Sequence, residues 1–216
     1  MKEYHKIQTI FKRDKKTRKV ILGEYSLVEF EFLKDNLWVF TEKIDGTNIR
    51  IMWDGLSITF GGKTDDAQIP VLLLHKLQEL FVDKDKKDLF TQIFNKDGKL
   101  TEVCLYGEGY GMKIQSNGEL YIPDGVDFVM YDVKIGDWWL ERVNVENIAL
   151  KLGIKVVPII GEGTLNDAIE LSRKGFKSQW GNFTAEGIVA MPKTELKTRK
   201  GKRVITKIKH KDFNDL

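Results

Sequence analysis

"FTEKIDGTNIRIMWDG", from Phe40 to Gly55, is the stretch on which the reading of this chain turns. "LWVFTEK" reads as a strand leading into it. "NIRIMW" alternates, turns at "DG" and continues as "LSITF", which predicts a β-hairpin. Between the two apolar runs stand Lys43, Asp45, Gly46 and Asn48. Two readings fit them. In one, Lys43 and Asp45 are a strand-end charge pair and Gly46 is the bend. In the other, Lys43 is a nucleophile, Gly46 lets a nucleotide approach the backbone closely, and Asp45 and Asn48 orient a ribose or a phosphate. A lysine amine, with an ordinary pKa of about 10.4, must lose a proton before it attacks phosphorus. Bringing that value to about 7.5 takes roughly 4 kcal/mol, which neighbouring cations or a dry pocket supply. Taken alone, the tetrapeptide "KIDG" favours the turn.

Working outward, "IPVLLLHKLQELFVDKDKKDLFTQIF" (69–94) has apolar residues at helical spacing and predicts one helix, or two with a charged break. "EVCLYGEGYG" and "VDFVMYDVKI" read as strands, and "IGDWWL" as a turn into another. "RVNVENIALKLG" predicts a helix closed by Gly153, and "KVVPII" a short strand. "TLNDAIELSRKG" opens with Thr164 and Asp167 at capping-box positions and stops at Gly175. "AEGIVAM" and "KRVITKIKH" read as two last strands. Strands and helices mix without regular βαβ alternation, so the expected class is α+β with mostly antiparallel sheets. Neither the 19 glycines nor the 4 prolines cluster as a hinge, and no repeat interrupts the chain. One domain, 1–216, is therefore expected.

Composition narrows the function classes. With 42% hydrophobic and 31% charged residues, the 216-residue chain has material for a real core. The longest apolar run, "VLLL", is too short to cross a membrane, and the N-terminus lacks a signal-peptide core. Cys104 is the only cysteine, which excludes an intrachain disulfide and a multi-cysteine metal site. A cytoplasmic location is expected. The net charge of +3 says little, but its distribution says more. "KRDKKTRK" spans Lys12 to Lys19. A second basic run, Lys193 to Lys211, carries Lys197, Arg199, Lys200, Lys202, Arg203, Lys207 and Lys209 against Glu195 alone. Each run is either a solvated face or a phosphate-binding patch.

Further pieces follow downstream. "GEGYG" sets Glu108 on a strand between glycines, which marks either open space beside a carboxylate or a bulge. "DFVMYD" offers Phe128 and Tyr131, as base-stacking or as core aromatics. "EGIV" puts Glu186 before a glycine. "TKIKHK" sets Lys207 and Lys209 on one face of a strand and Ile208 on the other, an exposed edge or a phosphate clamp.

In this order, "KIDG", "YGEG", "DFVMYD", "EGIV" and "KIK" resemble the motifs of the covalent nucleotidyltransferase superfamily of ATP-dependent ligases and capping enzymes. The resemblance covers nearly the whole chain. The finer likeness is to RNA ligases, in the branch of the phage double-strand RNA ligase and the trypanosome editing ligases. That branch carries an asparagine two residues after the motif glycine, here Asn48. It often replaces the motif aspartate, which this chain keeps as Asp45. "GGKT" puts Lys63 where that branch usually has arginine, keeping the charge without the forked geometry.

The resemblance implies a nucleotidyltransferase (ATP-grasp-like) fold and an ATP-dependent RNA ligase using Mg2+ or Mn2+. Lys43 would form lysyl-AMP. Asp45 would serve the catalytic motif, and Glu42 would read the adenine amine. Asn48, Arg50 and Lys63 would lie near phosphates or the RNA end. Glu108 would hold the ribose, and Phe128 would stack on adenine. Glu186 would bind the metal or its waters. Lys207 and Lys209 would hold phosphates and by their charge favour the free amine of Lys43. AMP would pass to an RNA 5′-phosphate, which is then sealed to a 3′-hydroxyl, as in phage-type RNA repair. The 216-residue chain continues only briefly past Lys209. The expectation is thus an adenylation core without an appended C-terminal domain, sealing alone or with a protein partner that engages RNA. Two alternatives stand beside it: a minimal DNA ligase, against which Asn48 argues, and a catalytically silent nucleic-acid-binding module. A GTP-using capping enzyme is a more distant one.

Overall fold

Burial alternates along the strand before the opening motif, with Trp38, Phe40 and Glu42 buried; after it Ile49, Ile51 and Trp53 are buried on one face and Arg50 on the other. The computed structural model describes residues 3–82, 84–95 and 101–213. The chain starts with strands β1 (Gln8–Thr9), β2 (Phe11–Arg13) and β3 (Val20–Tyr25), helix α1 (Val28–Phe32) and strand β4 (Trp38–Glu42). Then come β5 (Thr47–Trp53), β6 (Ile58–Gly61), α2 (Val71–Phe81), α3 (Lys84–Phe94), β7 (Val103–Gly111), α4 (Gly118–Tyr121), β8 (Val126–Ile135) and β9 (Trp138–Trp139). Helix α5 (Arg142–Leu152), β10 (Lys155–Val156), β11 (Ile159–Gly163), α6 (Leu165–Lys174), β12 (Gly187–Pro192), β13 (Thr206–Lys209) and a 3-10 turn (His210–Phe213) complete it. The class is α+β. Two strand pairs, β1 with β13 and β10 with β8, are parallel, and the other pairs are antiparallel.

These elements pack as two compact units. The first comprises Tyr4 and Asp45–Val157, the second His5–Ile44 and Pro158 onward. The chain thus leaves the second unit for the first between Ile44 and Asp45, inside "KIDG", and returns between Val157 and Pro158.

In the first unit the sheet order is β10-β8-β7-β5-β6, with β9 added to β8. Helix α2 lays Leu73, Leu77 and Phe81 against the core at i, i+4 and i+8, and α5 adds Val145, Ile148, Ala149 and Leu152. Each of these side chains other than the small Ala149 contributes about 1.5–3 kcal/mol on burial. The 69–94 segment is therefore two helices; position 83, in the charged break, lies outside the described residues. Gly153 closes α5 with φ 70°.

In the second unit the sheet order is β1-β13-β12-β4-β11, with β2 and β3 as a separate hairpin. The core holds Phe30, Trp38, Phe40, Leu165, Ile188 and Ile208. Helix α6 starts at the expected capping box, Thr164 with Asp167. "KVVPII" is not one strand. Its two halves, β10 and β11, belong to different units, and Pro158 is the divide. Val157 N–H donates to Met130 O, whereas proline has no N–H to continue that ladder, and Pro158 O accepts from Glu42 N–H. "KRVITKIKH" is shorter than expected, with only Thr206–Lys209 in the sheet.

Candidate active site

In the second unit, three strand ends meet on one carboxylate. Strand β4 ends at Glu42, and the N–H of Lys43 donates to Gly187 O at 2.9 Å. Glu186 directly precedes β12, and Lys209 pairs opposite Gly187 at the end of β13. Lys43, Glu186 and Lys209 thus share one level of the sheet. Lys43 Nζ lies 2.6 Å from Glu186 Oε2 and also donates to Ile44 O at 3.2 Å. Lys209 Nζ lies 2.6 Å from Glu186 Oε1. The Glu186 side chain is 9% exposed, Lys43 19% and Lys209 22%, so the cluster is sheltered yet reachable. His210 N–H fixes the Glu186 carbonyl at 2.9 Å. The glycine after Glu186 is required by a close approach: a Cβ on Gly187 would stand 2.1 Å from Ile208 O. Along β13, Thr206 and Ile208 are buried, while Lys207 and Lys209 share the half-buried face.

This cluster offers an incoming anion two ammonium groups and an incoming cation one carboxylate. Among the described residues no group of three or more His, Cys, Asp or Glu side chains is poised to hold a metal. A single carboxylate still fits a hard divalent ion of the Mg2+ type, which keeps most of its waters and shares phosphate oxygens.

Glu42, also in the second unit, is 1% exposed. Its Oε1 accepts from Ser178 Oγ at 2.6 Å and its Oε2 from Gln179 N–H at 2.8 Å. Burial pushes its carboxyl above the ordinary value, and these two hydrogen bonds oppose the shift. Ser178 Oγ accepts in turn from Trp180 N–H at 3.1 Å. No motif in the sequence marks Ser178 or Gln179.

The remaining candidates lie in the first unit. Asp45 N–H donates to Tyr121 Oη and its carboxylate accepts from Asn117 Nδ2, both at 3.1 Å. A Cβ on Gly46 would stand 2.3 Å from Gly109 O and 2.7 Å from Glu108 Cγ, so this glycine is needed where the motif turn meets β7. Asn48 pairs opposite Glu108 across β5 and β7. Its Nδ2 donates to Tyr131 Oη, and its Oδ1 is buried without a hydrogen-bond partner among the described residues. Arg50 does not reach out as a phosphate ligand. It is 0% exposed, donating from Nε to Gly62 O at 2.8 Å and pairing with Asp65 at 2.7 Å. Lys63 is exposed on the loop after β6.

The base-stacking expectation for Phe128 is corrected by its place. Phe128 is 1% exposed in the core of the first unit, edge-on to Phe81. The β7–β8 register shifts between Tyr106 and Gly107, where Met130 and Asp132 are the paired residues and Tyr131 is the extra one. Phe128, Met130 and Val133 all enter the core. Tyr131 instead meets Asn48, and burial together with the nearby Glu108 carboxylate pushes its phenol well above the ordinary value. The aromatic on the Glu108 side is therefore Tyr131. Tyr4 packs against Tyr131 and Tyr106 and donates to Asp132.

A sequence profile of the RNA ligase family matches residues 36–209. No curated protein matches the chain in sequence. Among solved structures, the RNA ligase of Naegleria gruberi matches in several states. A ligand-free mutant aligns with 20% identity and a TM-score of 0.63, covering 87% of this chain and 53% of that one. A mutant with ATP and Mn aligns at 22% and 0.62, covering 85% and 54%. The form with pyrophosphate aligns at 22% and 0.63, covering 100% and 64%. The chain thus spans between about half and just under two thirds of the length of these structures, and the likeness is one of fold. With the motif residues in place on that fold and the family profile covering most of its length, the chain belongs to the RNA ligase family.

Proposed function

We propose that the chain is an ATP-dependent RNA ligase working through lysyl-AMP at Lys43. The observation that carries this is the Glu186 carboxylate held at 2.6 Å between Lys43 and Lys209. In the first step the Lys43 amine attacks the α-phosphorus of ATP. A P–N bond forms, the bridging P–O bond to the β-phosphate breaks, and pyrophosphate leaves with the electron pair. The Nζ proton has an acceptor in reach, Glu186 Oε2. Lys209, with Lys207 two residues back on the same face, supplies positive charge for the phosphates. A divalent ion, Mg2+ or Mn2+, neutralises phosphate charge when bound, and Glu186 is the residue that would hold it. The matched Naegleria ligase with ATP and Mn supports that choice of nucleotide and metal.

In the second step an oxygen of an RNA 5′-phosphate attacks the AMP phosphorus. The P–N bond breaks and Lys43 regains its proton. In the third step an RNA 3′-hydroxyl attacks the activated 5′-phosphate, a phosphodiester forms and AMP leaves. Family membership and Asn48 support RNA over DNA as the polynucleotide. In the first unit, Asp45, Asn48 and Glu108 are the candidate polar contacts; the unsatisfied Asn48 Oδ1 suits a hydroxyl or amine donor.

The test is incubation with α-labelled ATP and Mg2+, then addition of 5′-phosphorylated RNA. Wild type is expected to gain covalent label, release it on RNA and seal a 3′-hydroxyl end without added protein. Lys43→Ala should gain none. Equal labelling of both proteins, or of neither, ends the proposal. Label passing only to DNA marks a DNA ligase, and salt-sensitive RNA binding without label marks a silent binding module. Competition by unlabelled GTP would expose a capping-type activity.

A further inference from the structure

We infer that the β2–β3 hairpin of the second unit is a docking element for the phosphate backbone of the RNA, several nucleotides away from the reacting end. This rests on the RNA ligase reading above.

From Lys12 to Lys19 the hairpin carries Lys12, Arg13, Lys15, Lys16, Arg18 and Lys19 against Asp14, and Glu24 of β3 faces Lys12 at 3.4 Å. Asp14 is turned inward. Its Oδ1 accepts from Lys16 N–H, Thr17 N–H and Thr17 Oγ1 at 2.7–2.9 Å. Its backbone pairs with Lys19 and Arg18, and Arg18 sits in the left-handed region at φ 63°. The acid thus shapes the turn, while Lys15, Lys16 and Arg18 remain exposed. Three exposed cations on one ordered turn form a positive patch that attracts an anionic backbone.

Its position distinguishes it from the other basic run. Strand β1 runs parallel to β13, with Thr9 opposite Lys207, so the chain beyond β1 heads toward the end where Lys209 meets Glu186. Arg13 fastens the hairpin there, pairing with Asp212 at 2.6 Å, three residues past Lys209. The loop with Lys197, Lys200 and Lys202 precedes Thr206 and lies at the opposite end of the same strand. There Glu195 already faces Lys197 and Arg203. Between β1 and β4 lie three strand spacings, about 14 Å. That sets the root of the hairpin some nucleotides away from Lys43 along a bound strand.

The experiment measures binding of 5′-phosphorylated RNA over a range of salt, alongside lysyl-AMP formation. The test variant is Lys15→Gln/Lys16→Gln/Arg18→Asn; asparagine tolerates the left-handed position. The control is Lys197→Gln/Lys200→Gln/Lys202→Gln. The hairpin variant is expected to form lysyl-AMP at the wild-type rate, which also shows that it folds. Its RNA affinity at low salt should fall at least about tenfold and its salt slope by about two to three. The control should change by less than about threefold. An unchanged slope in the hairpin variant, or an equal loss in the control, overturns the inference. Failure of the ligase reading looks different: wild type then forms no lysyl-AMP, whatever the hairpin does to RNA binding.

Discussion

Replacing Glu186 with glutamine tests whether one carboxylate really restrains two ammonium groups. In wild type each oxygen faces one Nζ at 2.6 Å. Glutamine keeps the shape but offers one carbonyl oxygen and one NH2, so one lysine meets a donor instead of an acceptor. Two unit charges about 4 Å apart attract by about 4 kcal/mol at the effective dielectric of a protein surface. Desolvation and the residual exposure of both lysines cut this down, and losing a charged hydrogen bond costs about 1.5–3 kcal/mol. The expected net loss is about 2–4 kcal/mol, a sizeable share of a total near 5–15. The assay is urea unfolding of a double-mutant cycle: wild type, Glu186→Gln, Lys209→Met and the pair. Removing Lys209 first relieves the donor clash, so the two changes should couple by at least about 1 kcal/mol. Additive losses, or a Glu186→Gln protein as stable as wild type to within about 0.5 kcal/mol, would refute the bridging arrangement.

Other outcomes follow from single contacts. Arg50→Met leaves the buried Gly62 carbonyl without its partner and should cost about 1–3 kcal/mol, while folded protein still forms lysyl-AMP. Lost labelling at unchanged melting temperature would instead put Arg50 on a phosphate. Because Glu42 is raised above 4.5, the native state holds its proton more tightly than the unfolded chain does. Wild-type stability should therefore fall as pH rises from about 4.5 through the folded-state value. Glu42→Gln should flatten that limb, and identical stability–pH profiles would count against the burial argument. Thr164→Ala removes one half of the capping box on α6 and should cost about 0.5–2 kcal/mol, read as a lower urea midpoint.

Local signals in the sequence carried far. The hairpin after the motif, the capping box at Thr164 and the Gly153 stop each rest on a few adjacent residues, and each stands in the structure. Lys43, Glu186 and Lys209 stand out in the sequence because their motifs, in order, resemble those of the nucleotidyltransferases. What failed to show depends on pairing across the chain. Strand β1 is two residues long and exists because it adds to β13, nearly two hundred positions away. "KVVPII" looks continuous by composition, yet one proline sends its halves to two sheets. Arg50 reads as a free cation until Gly62 and Asp65 are seen around it.

The bulge at Tyr131 has a consequence for how such chains are compared. An extra residue in β8 resets the alternation, so Met130 and Val133 both enter the core although three positions separate them, while Tyr131 faces away from Phe128. Matching "DFVMYD" to a relative by its first aromatic assigns a buried packing residue to the ligand. Counting back from Asp132 instead picks out Tyr131. A gap placed on either side of the bulge changes which letter inherits a role, and identity scores do not detect the error. In this strand a role belongs to a side of the sheet, and an alignment that ignores the pleat transfers it to the wrong residue.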